Sequence, residues 1–334
     1  MELLCPAGNL TALRAAVDNG ADTVYIGFRD VTNARQFPGL NFTPEQAARG
    51  VTYAHERGVR VHVAVNSYVQ AGGWAQWQQS IDQAARIGAD AVIVADLGLL
   101  EYTAEQWPQL GCHLSVQASA TTPEALDFYR RRYGVTRAVL PRVLSIQQVE
   151  ALAGETDVEL EVFGFGSLCV MAEGRCLLSS YATGESPNTV GACSPAWAVQ
   201  WQERPEGREV RLGGLLIDRF APEEPAGYPT ICKGRYEVEG ELEHAFETPT
   251  SLETAELLPR LRRAGIHAVK IEGRQRSPAY VGKVTRIWRQ LMDRLPATEA
   301  AEGGYTPDPA QVSALQAFSE GRTTTLGPYE RNWQ

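Results

Sequence analysis

The sequence predicts an α/β protein: a (β/α)8 TIM-like barrel with a cysteine-bearing insertion between strands 7 and 8. Three observations point there. Seven short apolar strands, the first six each followed by a helix, run through about the first 165 residues. The turns that open the strands echo one another, as in Gly20-Ala21-Asp22 and Gly88-Ala89-Asp90. After about 100 residues of different texture, an eighth unit returns at Ala264-Gly265-Ile266-His267. A doubly wound open sheet is the alternative, but no G-x-G-x-x-G follows any strand.

Taken in order, Glu2–Cys5 reads as the first strand, and Asn9 or Thr11 caps a helix running to about Asn19. Thr23–Gly27 is the second strand. Thr43-Pro44-Glu45 opens a helix with Thr as N-cap and Pro at the first helical position, and it stops near Gly58. Arg60–Asn66, Ala91–Asp96, His113–Ser119, Arg137–Arg142 and Val158–Gly166 read as strands three to seven. The helices between them start near Trp74, after Asp96, at Thr122-Pro123-Glu124 and at Ser145. Ala268–Gly273 is the eighth strand, and Ser277-Pro278 opens a helix to about Leu295. The expected divisions are 1–166 for barrel units one to seven, 167–263 for the insertion, 264–300 for unit eight and 301–334 for a surface-wrapping tail. Within the insertion, Trp197–Glu247 alternates apolar and polar residues around two turn signals, predicting a small antiparallel β element.

With 44% hydrophobic and 21% charged residues and no low-complexity tract, the chain has ample material for a core. No apolar run approaches the roughly 18 residues of a membrane span, and no basic n-region opens the chain, so a cytoplasmic protein is expected. A net charge of -9 disfavours a broad nucleic-acid footprint.

Four of the six cysteines, Cys169, Cys176, Cys193 and Cys232, sit on Gly-, Ser- and Pro-rich loops of the insertion. In a cytoplasmic chain, clustered cysteines are more often ligands than disulfides. Structural zinc sites favour Cys pairs with two to four residues between them, and the shortest gap here is six. Iron–sulfur clusters recruit thiolates from dispersed loops, which favours [4Fe-4S] over zinc, with unrelated buried cysteines as the bland alternative. Since loops after strand ends line a barrel's active face, the cysteine loops should emerge there. Cys5 and Cys112 read as packing residues.

Of five histidines, none pairs with a nucleophile in a recognisable pattern, and no catalytic residue is assigned. Anion-binding groups are better placed: Arg142 ends strand six, and Lys270, Glu272, Arg274 and Arg276 alternate through strand eight and beyond it. Arginine forks suit carboxylates. Salt bridges among Lys270, Glu272 and Arg142 are the structural alternative to a substrate site. Asn66, Asp96, Gln117 and Ser119 should line the site by position.

The motifs add a resemblance. They are Glu2-Leu-Leu-Cys-Pro-Ala-Gly8, Gly20-Ala-Asp-x-Val-Tyr-Ile-Gly27, Ser115-Val-Gln-Ala-Ser119 and Phe165-Gly-Ser-Leu-Cys169. They continue through Glu173-Gly-Arg-Cys176, Thr183-Gly-Glu-Ser-Pro-Asn188, Gly191-Ala-Cys-Ser-Pro195 and Tyr228-Pro-Thr-x-Cys-Lys-Gly-Arg-Tyr236 to Lys270-Ile-Glu-Gly-Arg-Gln-Arg-Ser-Pro-Ala-Tyr280. Over essentially its whole length the chain resembles the collagenase-like U-type peptidase family. Gly-Glu-Ser-Pro-Asn-Thr and the Thr323-Thr-Thr-Leu-Gly327 tail resemble its ubiquinone-biosynthesis branch. The resemblance implies a [4Fe-4S] cluster on Cys169, Cys176, Cys193 and Cys232 and a heterodimer with a related cluster protein, UbiV. It also implies O2-independent hydroxylation of the ubiquinone precursor ring, with prephenate as oxygen donor. A sterol-carrier-like lipid-binding accessory protein would present the prenylated quinone precursor. Proteolysis is not implied. Relatives resembling this fold hydroxylate RNA with prephenate, which supplies a second reading.

Overall fold

The computed structural model describes residues 1–36, 39–171, 173, 176–187, 191–296 and 305–331. Seven strands run β1 (Glu2–Pro6), β2 (Thr23–Gly27), β3 (Arg60–Val65), β4 (Ala91–Val94), β5 (Gly111–Leu114), β6 (Arg137–Val139) and β7 (Glu159–Ser167). The first six alternate with helices α1 (Leu10–Asp18), α2 (Pro44–His55), α3 (Trp74–Arg86), α4 (Leu97–Gln106), α5 (Pro123–Tyr133) and α6 (Ile146–Glu155). The chain then leaves the barrel for α7 (Leu178–Thr183), the antiparallel meander β8 (Val199–Arg204), β9 (Gly207–Leu212) and β10 (Leu215–Phe220), and the hairpin β11 (Tyr236–Val238) and β12 (Glu241–Glu243). It returns through β13 (Ser251–Glu253), antiparallel to β7, and α8 (Leu258–Arg263). The eighth barrel strand, β14 (Ala268–Ile271), pairs in parallel with both β1 and β7 and closes the ring before α9 (Pro278–Asp293).

Closure rules out the open sheet. It follows from local signals that agree: Asn9, Thr43, Asp96, Thr122, Ser145 and Ser277 each cap the helix that follows, and Thr43–Gln46 and Ser145–Gln148 are full capping boxes. One face of each strand packs on the helices; Leu3, Val24, Ile26, Val61, Val63, Val92, Val94, Trp77 and Trp288 belong to this layer and are almost wholly buried. The meander has its own small core of Ala198, Val210, Leu212, Ile217 and Phe220.

Strands β3, β4, β5, β6 and β14 are shorter than the expected spans. After Leu114, Ser115 accepts from the Gln117 N–H and opens a 3-10 turn, Val116–Ala118, and Ser119 is left-handed (φ 53). Strand five therefore ends before the turn that carries Gln117. Leu140 N–H still donates to Glu161 O (2.9 Å), but Pro141 has no N–H to continue the ladder, so β6 ends short of Arg142. Asp96 is the N-cap of α4, its carboxylate accepting from Gly98 and Leu99.

In the C-terminal segment, α10 (Pro309–Gln316) precedes β15 (Thr324–Thr325), which adds in parallel to β13. Tyr329 donates to the Phe163 carbonyl (3.3 Å). Residues 297–304, at the expected join of unit eight and the tail, and 332–334 lie outside the described residues. So do Ala172, Gly174 and Arg175 beside Cys176, and Asn188 of the Thr183–Asn188 motif. Among the described residues no helix is long and apolar enough to cross a membrane.

Candidate active site at the barrel mouth

Strand alternation sends the other face of each strand into the barrel. There the interior carries ions as well as apolar side chains. Near the N-terminal end, Arg137 is 2% exposed and bonds Glu2 (3.0 Å) and Glu159 (2.6 Å). Next to it, His62 and His113 meet edge to face, ring centroids 4.6 Å apart. Burial, reinforced by Arg137 and Lys270, pushes His113 down to about 3; burial and the neighbouring His113 push His62 well below its usual range. One level higher, Lys270 donates to Glu161 (2.7 Å) and sits over the Tyr25 ring (4.2 Å). Burial lowers the Lys270 pKa against the opposing pull of Glu161.

At the C-terminal mouth these layers open into a cavity of about 130 Å3. Arg142, 7% exposed, spans it: its Nε donates to Glu173 (2.8 Å), its Nη1 to Glu272 (3.2 Å) and to Ser167 O (2.5 Å), and its guanidinium lies over Phe163. Glu272 also receives Arg35 (3.1 Å) and the Ser167 N–H (2.8 Å). Burial alone would raise the Glu272 pKa, but Arg142 and Arg35 outweigh it and hold the carboxyl below its usual range. Two glycines make room for this arrangement. At Gly166 (φ 135) a Cβ would stand 2.6 Å from that of Glu272; at Gly27 it would stand 2.4 Å from Arg274 Nη1. Arg274 donates to Asn33 Oδ1 (3.2 Å).

The cysteines gather at the same mouth. Cys169, Cys176 and Cys193 line the cavity, and Cys232 lies near enough for Cys169 and Cys176 to act on its titration. Desolvation pushes Cys169 up to about 11 against the pull of Arg142; it also raises Cys193, against Arg35, and Cys232. Four thiols of this kind on one rim form a donor set suited to iron–sulfur ligation. Among the described residues no three or more His, Cys, Asp or Glu side chains stand close enough together to hold a metal ion.

Of the residues expected from sequence, Arg142, Lys270, Glu272, Arg274, Asn66 and Gln117 do line the cavity. The anticipated ion pairs exist, although Lys270 pairs with Glu161 and not with Glu272. Asp96 is spent as a helix cap and Ser119 donates to the Glu173 carbonyl, so neither lines the cavity. Arg276 points outward to Phe318 O (3.0 Å). Cys5 faces the helical layer, receiving the Thr285 hydroxyl (3.2 Å), and Cys112 is core. Sequence reasoning missed Arg35, Asn33, Glu161 and Tyr25. Glu161 had a legible signal, a charge at the inward parity of an otherwise apolar strand; Arg35 and Asn33 come from the β2–α2 loop and had none.

A closed (β/α)8 barrel with four thiols and a cation-rich cavity at its C-terminal mouth defines the class of protein. The chain belongs to peptidase family U32, whose model matches residues 8–327. It is 30% identical over 311 residues to "tRNA hydroxylation protein P" of Escherichia coli (strain K12), covering 87% of this chain and 68% of that protein. It is 31% identical over 299 residues to the "23S rRNA 5-hydroxycytidine C2501 synthase" of the same organism, covering 88% of this chain and 40% of that one. The chain thus spans about two thirds or less of the length of these relatives. A solved U32 peptidase is 20% identical with a TM-score of 0.41, over 49% of this chain and 69% of that one.

Proposed function

We propose that the chain is a UbiU-type iron–sulfur subunit of an O2-independent hydroxylase acting on the ubiquinone precursor ring in anaerobic ubiquinone biosynthesis. Its partner is UbiV, in a heterodimer, and prephenate is the oxygen donor. A sterol-carrier-like lipid-binding protein presents the prenylated ring, with no stable membrane insertion. The carrying observation is the meeting of four thiols and a cation-rich cavity on one barrel face, in a family whose relatives bear hydroxylation names. Cys169, Cys176, Cys193 and Cys232 would hold a [4Fe-4S] cluster, a bulkier group than a single ion. Such a cluster supplies the electron transfer that side chains alone lack. The chain's own residues hold the loops: Arg142 ties Ser167 of β7 to Glu173 between the first two cysteines, and Arg35 ties Gly191, two residues before Cys193, to Glu272.

Absorbance and EPR spectra of anaerobically purified protein, with and without dithionite, test the cluster. Zinc without iron or sulfide would sink it. Retained quinone synthesis in an anaerobic Cys176→Ala strain would remove its functional role.

A second reading, an RNA hydroxylase, draws on the relatives' names. The net charge of -9 counts against it, and a filter-binding assay with purified tRNA and rRNA discriminates. A peptidase or a structural zinc protein is the third; metal analysis and a casein-cleavage assay on the same sample separate them.

A further inference from the structure

The four cations lining the cavity are Arg35, Arg142, Lys270 and Arg274. Three are already matched: Arg142 with Glu173 and Glu272, Arg35 with Glu272, Lys270 with Glu161. Arg274 is different. It is 5% exposed, and among the described residues its guanidinium has no hydrogen-bonded carboxylate, only neutral partners: the amide oxygen of Asn33 and the Tyr25 ring, 5.7 Å away. Glu272 is near but taken.

A buried charge with no carboxylate against it is costly, and this one is met only by an amide oxygen and the face of the Tyr25 ring. The fold makes room for it. Gly27 carries no side chain where a Cβ would strike the guanidinium, and Gly8 admits the Arg274 carbonyl, which would otherwise lie 1.9 Å from its Cβ. Three arginines against two glutamates leave the mouth layer with one positive charge in surplus. We propose that Arg274 anchors the carboxylate of a small organic acid bound in this cavity, its fork meeting the two oxygens side by side. One surplus charge matches one carboxylate group of such an acid. At about 130 Å3 the cavity is below the roughly 300–1,000 Å3 of a pocket that swallows a large ligand. A prenylated ring would stay outside it. This deepens the function proposed above, and rests on it only for naming prephenate as that acid.

The test is calorimetric titration of anaerobically purified, full-length protein with benzoate, prephenate and inorganic phosphate, on wild type, Arg274→Gln, Arg274→Lys and Arg276→Gln. The expected result is one carboxylate per chain, weakened about tenfold or more by Arg274→Gln. Arg274→Lys should weaken it less, because an ammonium keeps the charge and loses the fork. Arg276→Gln, on the outer surface, should bind like wild type. Thermal melts of the empty proteins add an independent reading: Arg274→Gln should melt no lower than wild type, since it removes an unpaired charge, and should lose the stabilisation that ligand gives wild type. Unchanged carboxylate affinity in Arg274→Gln, binding of phosphate alone, or no binding of any probe would overturn the assignment. Should Arg274→Gln fail to fold, the assignment is overturned on the melt, and equal affinity in Arg274→Lys overturns it on the titration. Benzoate bound through Arg274 with prephenate excluded would keep this inference and remove prephenate from the proposed function.

Discussion

Arg142→Met is the sharpest probe of the mouth. The substitution keeps an apolar stem and removes the guanidinium that lies over Phe163, with its three donated hydrogen bonds, to Glu173, Glu272 and Ser167 O. The two carboxylates do not suffer alike. Glu272 retains Arg35 and the Ser167 N–H. Glu173, 7% exposed, has no other hydrogen-bond donor to its carboxylate among the described residues, and its Oε2 is already without one. Removing one member of a buried pair costs about 3–5 kcal/mol, mostly through the charge left behind. Because Glu272 stays satisfied, a loss of about 3 kcal/mol is expected, at the low end of that range. Adding Glu173→Gln should return part of it, so the two changes should couple by at least about 1 kcal/mol in a double-mutant cycle. Urea unfolding followed by far-UV circular dichroism under argon measures all four corners, compared at a common slope. A loss below about 1 kcal/mol, or additivity within about 0.5 kcal/mol, would refute the reasoning.

Acid should expose the buried histidines. A histidine held neutral in the fold, with its pKa depressed from 6.5, binds its proton only in the unfolded chain, so stability falls as pH drops below 6.5 and goes on falling toward about 3, where folded His113 also protonates. Between pH 6.5 and 5 one such group should lose about 2 kcal/mol, before Glu2 and Glu272, both lowered from 4.5, begin to protonate. His62→Gln/His113→Gln should flatten that limb of a stability–pH curve; an unchanged slope would count against neutral burial. Lys270→Met should cost about 3 kcal/mol by leaving Glu161 only Arg137, at 4.0 Å, and Lys270→Met/Glu161→Leu should recover most of it in urea unfolding. Tyr329→Phe removes a buried hydroxyl that donates to Phe163 O and should cost about 1 kcal/mol, seen as a small downward shift of the unfolding midpoint.

The architecture was legible because its signals are local and mutually consistent. Thr43-Pro44-Glu45, Thr122-Pro123 and Ser277-Pro278 state where helices begin by side-chain chemistry alone, and the structure starts them there. Strand ends were less legible, because what stops a parallel strand is the geometry of the next turn. Ser115–Ser119 looks extended in composition, yet a serine side chain satisfying the Gln117 amide is enough to wind it into a 3-10 turn. Pro141 could have warned that β6 would not reach Arg142.

The site divides along the same line. Residues on strands announce themselves by parity: Glu161, Lys270, His62 and His113, with Glu272 one residue past β14, are polar at alternate positions of otherwise apolar runs, a pattern that only an interior able to pair them can tolerate. Residues on loops do not. Arg35 reaches the cavity, and Asn33 the guanidinium of Arg274, from the β2–α2 loop, and the Arg35 guanidinium meets Gly191 of the insertion across 156 positions of sequence. The partner of a charge is the least local fact about it. Lys270, Glu272 and Arg274 sit at neighbouring alternate positions and look equivalent in sequence. In the barrel the first is neutralised by Glu161, the second by two arginines, and the third by no carboxylate. An alternating run of charges therefore locates a site, while the long-range pairing decides which of its members is left to meet a ligand.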